Sequence, residues 1–207
     1  MNNITQILKD VGAIITDSHI VYTSGKHGSV YINKDALYPH TAEISAVGKM
    51  FAEKHQDMKI EVVVGPALGG IILSTWTAYH LSQIIGKEVL GVYTEKDASN
   101  NQIFTRGYDK LVKGKRVLVV EDITNTGGSA KKVVNSVKEV GGNVVAVCVV
   151  VNRDPENVTS QSIGAPFFSL GIIKAEAFDE DKCPLCKAGV AINTTVGHGK
   201  KYLAAKK

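Results

Sequence analysis

Residues 117–129 read VLVVEDITNTGGS, and this stretch decides the fold. A short apolar run rich in valine is typical of a buried strand. Acids, hydroxyls and an amide follow it, and two glycines allow a tight turn into a helix. Free backbone N–H groups in such a turn and at the helix N-terminus bind phosphate. The stretch therefore predicts a strand that opens into a phosphate-binding loop.

Two adjacent carboxylates precede this loop. They would repel a phosphate, but they can accept hydrogen bonds from the vicinal hydroxyls of a ribose. The predicted ligand is therefore a ribose 5-phosphate unit, and no Gly-Lys-Ser/Thr sequence closes the loop as in a Walker A motif. The alternative is an ordinary strand–turn–helix connection whose glycines serve only the turn. The candidate binding residues are Glu121, Asp122, Ile123, Thr124, Asn125, Thr126, Gly127, Gly128 and Ser129.

The same alternation of short apolar strands and helical segments continues on both sides of the stretch. It predicts an α/β fold, a parallel sheet flanked by helices. Residues 1–15 show helical spacing, and 94–114 are polar and irregular. The predicted strands are 60–64, 89–93, 116–120, 144–151 and 167–170, and the predicted helices are 41–54, 70–85 and 129–140.

The chain has 207 residues, which suits one domain. We expect a core at about 40–165 and a small cap from about 1–38 and 166–207, because those two parts do not fit the alternating pattern. Polar or glycine-rich residues follow four of the predicted strands. The carboxyl ends of parallel strands share one edge of a sheet, so these residues should form a single site.

Composition narrows the class of protein. Three cysteines give no disulfide framework and fit a reducing compartment. The N-terminal residues show no signal peptide, and the longest apolar run, 144–151, is too short to span a bilayer. We therefore expect a cytoplasmic protein with no membrane contact. Part of the net charge of +4 lies in the terminal lysines, which indicate a solvated end rather than a nucleic-acid arm.

VLVVEDITNTGGS resembles the phosphoribosyl-diphosphate signature of the type I phosphoribosyltransferases. More narrowly, most of the chain resembles the orotate phosphoribosyltransferases, and that likeness rests on the segments TSGKHGSVYINKD, GPALGG, YTEK, TRGY, NRD and CPLCKAG. The resemblance implies transfer of ribose 5-phosphate from 5-phospho-α-D-ribose 1-diphosphate to orotate. It also implies Mg²⁺ as cofactor, small-molecule substrates and a homodimer.

The same resemblance implies a role for each part of the site. Glu121 and Asp122 would hold the ribose hydroxyls, and residues 124–129 would hold the 5-phosphate. Arg153 would pair with the orotate carboxylate, to which a permanently charged guanidinium is well suited. The turn 65–70, including Gly69, would offer backbone N–H groups to pyrophosphate.

The chain departs from the family pattern in three places. Many members carry lysine where this chain has Gly69, and a lysine where it has Thr23, so Lys26 and His27 become the nearby basic candidates. Only two basic residues, Lys96 and Arg106, lie in the segment that corresponds to the family's mobile loop. We carry the loop's catalytic role onto them, together with Asp122.

Two other functions stay open. A purine phosphoribosyltransferase would stack an aromatic side chain on its base and would have no need of Arg153. A regulator could keep the fold without catalysis. Such proteins usually add a DNA-binding helical domain, for which the residues before Ser24 are too few. The intact Glu121–Asp122 pair and Lys96 also favour an enzyme.

Cys183-Pro184-Leu185-Cys186 has the spacing of a metal-binding knuckle. A structural zinc ion needs four ligands, and the sequence offers no second cysteine pair. The interpretation is therefore a tight turn with free thiols and no metal ligands, the alternative being a site shared across a dimer. The histidines at 19, 40, 55 and 80 show no spacing typical of a metal site.

Overall fold

The structure is a computed structural model and describes residues 3–174 and 176–206. Short 3-10 turns lie at Lys34–Ala36, Gln56–Met58 and Glu180–Lys182. The strands are β1 Ile14–Ile15, β2 Ile20–Val21, β3 His27–Gly28, β4 Tyr31–Ile32, β5 Val62–Pro66, β6 Leu90–Lys96, β7 Gln102–Ile103, β8 Arg116–Thr124, β9 Asn143–Asn152 and β10 Phe167–Ile172. The helices are α1 Ile4–Asp10, α2 Thr41–His55, α3 Gly69–Ile85, α4 Tyr108–Val112, α5 Gly128–Glu139, α6 Ser160–Ile163, α7 Pro184–Lys187 and α8 Gly199–Ala205.

Six strands form the central sheet, in the order β10-β9-β8-β5-β6-β7. The first five pair in parallel, and β7 adds to the edge of β6 in antiparallel orientation. The predicted α/β class with a parallel sheet is confirmed. The described helices include none with the length and apolar character that a membrane crossing requires.

Strand β8 shows why its sequence is an unbroken apolar run. Leu118 and Val120 belong to the core cluster that includes residues of α1, α2 and α3, whereas Val117 and Val119 belong to the cluster with residues of α5. All four side chains are fully buried. A strand covered by helices on both faces needs apolar residues at every position, not at every second one.

The described parts of the two chain ends contact each other beside this sheet. His27 forms an antiparallel bridge with Phe178, and His19 forms a parallel bridge with Ile192. The Asn193 N–H donates to the His19 carbonyl oxygen at 2.8 Å. The hairpin β2–β3 is therefore joined through its backbone to the C-terminal segment.

Two predicted elements were wrong in their extent. Helix α1 ends at Asp10 instead of continuing to residue 15, because Gly12 adopts a φ of 68° and turns the chain into β1. Segment 94–114 is not irregular. The Asp97 carboxylate accepts the N–H groups of Ser99 and Asn101 and so forms the turn between β6 and β7, and α4 follows.

Candidate active site

The site lies where the order of the parallel strands changes direction. The chain runs from β5 to β6 on one side, and β8 pairs with β5 on the other. Ligands of open parallel sheets bind at such a point, beyond the carboxyl ends of the strands. Three of the four predicted strand ends meet here. Gly69 follows β5, Asp122 lies near the end of β8, and the N–H of Arg153 after β9 donates to the Thr124 carbonyl oxygen at 2.9 Å.

A cavity of about 850 Å³ opens between this edge and the two chain ends. Asp122, Ile123 and Asn125 line its floor, and Arg153 lines it from the end of β9. Tyr22 and neighbouring residues of the β2–β3 hairpin line the opposite wall. Clefts of roughly 300–1,000 Å³ are usual for small-molecule sites, so the cavity has room for a substrate with several polar groups.

Asp122 is held by three donors. Its Oδ2 accepts hydrogen bonds from Lys34 Nζ at 3.0 Å and from the Tyr38 hydroxyl at 2.5 Å, and its Oδ1 accepts the Ile123 N–H at 2.6 Å. The side chain is 7% exposed. Burial and the adjacent Asp122 charge raise the pKa of the Tyr38 hydroxyl far above its usual value, so Tyr38 stays a donor. Asp122 is therefore an acceptor held in one orientation in the cavity lining.

The sequence did not identify Lys34 and Tyr38 as site residues. Both precede α2 and follow no strand of the sheet, so the strand-end argument did not reach them. The signal available was that Lys34 belongs to the segment TSGKHGSVYINKD, which carries part of the family likeness. Although burial opposes it, the charge of Asp122 raises the pKa of Lys34, which stays cationic.

Glu121 lies beside Asp122 and is 8% exposed. Burial and the charge of Asp122 raise the pKa of the Glu121 carboxyl to about 8, while Lys34 and Lys96 act in the opposite direction. Without a ligand, this carboxyl therefore binds a proton at neutral pH. A hydroxyl donor or a cation brought by a substrate would favour its ionised form.

This pKa predicts how stability depends on pH. The folded state binds the Glu121 proton more tightly than the unfolded state, so the stabilising effect is complete below pH 4.5 and is lost as the pH rises through about 8. We expect the free energy of unfolding of the Glu121→Gln variant to fall less between pH 5.5 and about 8.5 than that of the unmodified chain. Urea titrations across this range measure the difference. The exposed Glu88→Gln is the control, and identical pH slopes in all three proteins would contradict the prediction.

The predicted phosphate loop continues directly from β8. The Gly127 N–H donates to Thr124 Oγ1 at 2.9 Å, and Gly127 adopts a φ of 74°. A Cβ at Gly127 would also lie 2.7 Å from Ile163 Cδ1, so this position needs glycine for two reasons. Helix α5 begins at Gly128, and Asn125, Thr126 and Ser129 are exposed around its N-terminus. These groups are available to an anion.

Gly69 lies against the Asp122 contacts. A Cβ built on it would overlap the Tyr38 hydroxyl oxygen and Asp122 Oδ2. Where many family members carry lysine, this chain therefore has no room for a side chain while Tyr38 and Asp122 stay paired.

We expect Gly69→Ala to lower the free energy of unfolding by about 1–3 kcal/mol, because the new methyl group must displace Tyr38 or Asp122. Gly128→Ala is the matched control, since its Cβ would lie 3.4 Å from Thr126 Oγ1, an ordinary contact. Urea unfolding of both variants checks the expectation. Equal stability of the two variants would show that Tyr38 and Asp122 can move away from Gly69 without a loss of stability.

Three predicted basic residues lie away from the cavity. Lys96 ends β6 and is exposed, and Arg106 pairs with Glu95 at 3.4 Å. Lys26 pairs with Asp179 at 3.6 Å on the outer side of the hairpin. Among the described residues, the cavity lining includes none of these three. Of the predicted site residues, the structure places Asp122, Ile123, Asn125 and Arg153 in the cavity lining. Glu121 and Gly69 lie next to Asp122, and Thr124 and residues 126–129 lie at the start of α5, but within the described part of the chain the lining includes none of them.

Arg153 is oriented by Tyr22. The guanidinium carbon lies 5.3 Å from the centroid of the Tyr22 ring, a stacking distance. Its Nε is buried, and within the described part of the chain no acceptor reaches it. A buried donor without a partner is costly. An acidic ligand in the cavity would remove that cost.

Comparisons with known proteins agree with this geometry. Residues 33–163 match the family described as "Phosphoribosyl transferase domain". The orotate phosphoribosyltransferase of Caldanaerobacter subterraneus subsp. tengcongensis is 37% identical over 86% of this chain and 88% of its own length. That of Thermotoga maritima is 35% identical over 96% of this chain and 100% of its own. The crystal structure of Mycobacterium tuberculosis H37Rv orotate phosphoribosyltransferase in complex with Fe(III) dicitrate superimposes with a TM-score of 0.66 at 25% identity, over 83% and 97% of the two chains.

Proposed function

The chain belongs to the phosphoribosyl transferase domain family and, within it, to the orotate phosphoribosyltransferases, and from that premise we propose that it makes orotidine 5'-phosphate. The ribose 5-phosphate group of 5-phospho-α-D-ribose 1-diphosphate passes to orotate, and pyrophosphate leaves. This is a step of pyrimidine biosynthesis. The observation that carries the proposal is Asp122, buried and held by three donors at the strand end that opens into the phosphate loop.

In this reaction the bond between the anomeric carbon and pyrophosphate breaks, and a ring nitrogen of orotate forms the new bond. Positive charge develops on the ribose ring on the way. The Asp122 and Glu121 carboxylates would bind the ribose hydroxyls and favour that charge, while the loop 124–129 holds the 5-phosphate. The contribution of the protein is positioning and electrostatic stabilisation, with no protein nucleophile.

Arg153 would bind orotate at the other end of the cavity. Its guanidinium can donate two parallel hydrogen bonds to a carboxylate, and the Tyr22 ring lies 5.3 Å from the guanidinium carbon. The Arg153 N–H bond to the Thr124 carbonyl oxygen joins this position to the phosphate loop. The base and the ribose phosphate are thereby held in a fixed relation, as a displacement at one carbon requires.

Pyrophosphate would lie against the turn 65–70, in which Leu68 is exposed and Ala67 partly exposed next to the start of α3. Lys96 ends β6, and Arg106 follows β7. If the β6–β7 hairpin closes over the substrates, the two side chains would neutralise the negative charge of the departing pyrophosphate. Closure would require Arg106 to leave Glu95, an exposed ion pair of small net strength. Lys26 would need to exchange Asp179 for the substrate in the same way.

We propose Mg²⁺ as a cofactor carried by the substrate. Three of the roughly four acceptor positions of the Asp122 carboxylate already take Lys34, Tyr38 and the Ile123 N–H, and the remaining one would accept a ribose hydroxyl, so we do not assign Asp122 as a metal ligand. Glu121 is the acidic group beside it. Mg²⁺ usually keeps several waters and takes few protein ligands, which fits this arrangement. The ion would neutralise charge on the diphosphate.

We also propose a homodimer that works in the cytoplasm. Tyr79 on α3 is 52% exposed and packs edge-on against Trp76, and Leu68 before this helix is 82% exposed. An exposed apolar patch of this kind favours an interface between chains. Cys148, Cys183 and Cys186 are not joined by a disulfide, which fits a reducing compartment. Light scattering on the purified chain measures its oligomeric state.

The assay combines the purified chain, Mg²⁺, 5-phospho-α-D-ribose 1-diphosphate and one base. We expect orotidine 5'-phosphate and pyrophosphate with orotate, and no nucleotide with hypoxanthine or adenine. Turnover of a purine without turnover of orotate would overturn the proposal in favour of a purine enzyme. No turnover of any base, combined with substrate binding, would favour a regulator.

A further inference from the structure

Four side chains from two distant parts of the sequence meet at the β2–β3 hairpin: His19, His27, Cys183 and Cys186. One nitrogen or sulfur atom from each lies within 4.8 Å of the others. His19, His27 and Cys183 are buried, and Cys186 is partly buried. The interpretation of the two cysteines as a simple turn did not include the histidines.

The distances match those of a tetrahedral metal site. Zinc bonds of about 2.0–2.1 Å to nitrogen and about 2.3 Å to sulfur place neighbouring nitrogen and sulfur ligands about 3.6 Å apart. Cys186 Sγ lies 3.3 Å from His27 Nδ1 and 3.6 Å from His19 Nε2, and Cys183 Sγ lies 3.8 Å from His19 Nε2. His19 Nε2 and His27 Nδ1 are 2.8 Å apart, whereas two nitrogens bound to the same tetrahedral zinc ion are about 3.3 Å apart. Zinc binding would therefore separate the two rings by about half an ångström.

A neighbouring backbone group sets the orientation of one histidine. His19 Nδ1 lies 2.7 Å from the Val190 carbonyl oxygen, so this nitrogen carries the proton and donates it. The lone pair of His19 is then on Nε2, which faces the cluster. A carbonyl group that accepts from the far nitrogen of a ligating histidine is a recurrent feature of zinc sites.

We propose that His19, His27, Cys183 and Cys186 bind one structural zinc ion. Two thiolates and two imidazoles are a ligand set that selects zinc, and it differs from the all-oxygen set of Mg²⁺. On binding, each thiol releases its proton to the solvent, and both histidines bind as neutral imidazoles. Four protein ligands leave no open position for a reacting water, so the ion has a structural role.

The ion would fasten the wall of the cavity. His27 begins β3, and Tyr22, whose ring lies against the Arg153 guanidinium, follows β2 at the same turn of the hairpin, where its N–H donates to the Lys26 carbonyl oxygen. Cys183 directly precedes α7 in the C-terminal segment, and Cys186 lies within that helix. Zinc would therefore join the two chain ends next to the position at which orotate is expected, without contacting a substrate.

The test begins with metal analysis of the purified chain, expressed with zinc and kept reduced without chelator. We expect about one zinc ion per chain, and at least a roughly tenfold loss of zinc in Cys186→Ser and in His27→Ala. Cys148→Ala is the matched control and should keep its zinc, because Cys148 lies in β9, outside the cluster. Zinc removal should lower the melting temperature by several degrees, and added Mg²⁺ should not restore it.

A second measurement needs no variant. Cobalt(II) added to the zinc-depleted chain should give the intense visible bands of a tetrahedral ion and a sulfur-to-cobalt charge-transfer band. Three results would each overturn the proposal: negligible zinc in the purified chain together with a weak octahedral cobalt spectrum, equal zinc in Cys186→Ser and Cys148→Ala, or a Cys183–Cys186 disulfide in the chain as isolated. None of these readouts depends on transferase activity.

Discussion

Asp122→Asn should lower kcat/KM for 5-phospho-α-D-ribose 1-diphosphate by about two to three orders of magnitude. Hydrogen bonds to a charged group contribute roughly 1.5–3 kcal/mol each, and a ribose offers two hydroxyls to this pair of acids. At about 1.4 kcal/mol for each factor of ten, the loss of the charge reaches that size. The amide keeps the shape of the side chain, so the effect reports charge rather than packing.

The variant also turns an amide towards Lys34 and Tyr38, so its stability must be measured beside its kinetics. Glu156→Gln is the matched control, because Glu156 lines the same cavity and its side chain is 76% exposed, paired with Lys174 at 2.7 Å. We expect that change to alter kcat/KM by less than about threefold, as for most exposed ion pairs. A folded Asp122→Asn variant with less than a tenfold loss would exclude Asp122 as the ribose ligand.

Arg153→Ala should raise the KM for orotate by about a hundredfold and leave the KM for 5-phospho-α-D-ribose 1-diphosphate within about threefold. A charge-assisted bidentate pair is worth roughly 2–3 kcal/mol, and only the base loses it. Arg153→Lys should raise the KM for orotate by about tenfold, less than Arg153→Ala does. The reason is that an ammonium keeps the charge but lacks the planar pair of donors. Steady-state kinetics with each substrate varied in turn measure these values.

Arg116→Lys controls for the loss of a guanidinium elsewhere in the chain. Arg116 begins β8, at the edge of the sheet opposite the site, and donates to the Met58 carbonyl oxygen. The Arg116→Lys variant should have the same KM values for both substrates as the unmodified chain. Equal increases in the two KM values of Arg153→Ala would mean that the arginine side chain supports the shape of the cavity through Tyr22 and does not bind the base.

The parts of the fold that the sequence predicts are those with a local cause. A strand buried on both faces must be apolar at each position, so β8 and β9 are visible as valine-rich runs. The turn between β6 and β7 depends instead on the Asp97 side chain, which composition alone does not reveal. The general pattern therefore indicated the sheet, while the short edge strand was missed.

The residues of the candidate site also fall into those that the local sequence predicts and those that it does not. Residues 121–129 are contiguous and their chemistry is visible in one line of sequence. The approach of Lys34 and Tyr38 to Asp122, and of His19 and His27 to Cys186, joins residues far apart in the chain. No spacing rule relates such residues, because their distance is set by packing of elements that the sequence specifies separately.

The pairing of the two chain ends has a consequence for synthesis. His27 and its bridge partner Phe178 are about 150 residues apart, and contacts of such long range form late because closing the intervening loop costs entropy. The β2–β3 hairpin is translated early, but the C-terminal segment with which it pairs is translated only after the whole central sheet. The nascent chain should therefore form the loop 124–129 before the β2–β3 hairpin joins the C-terminal segment.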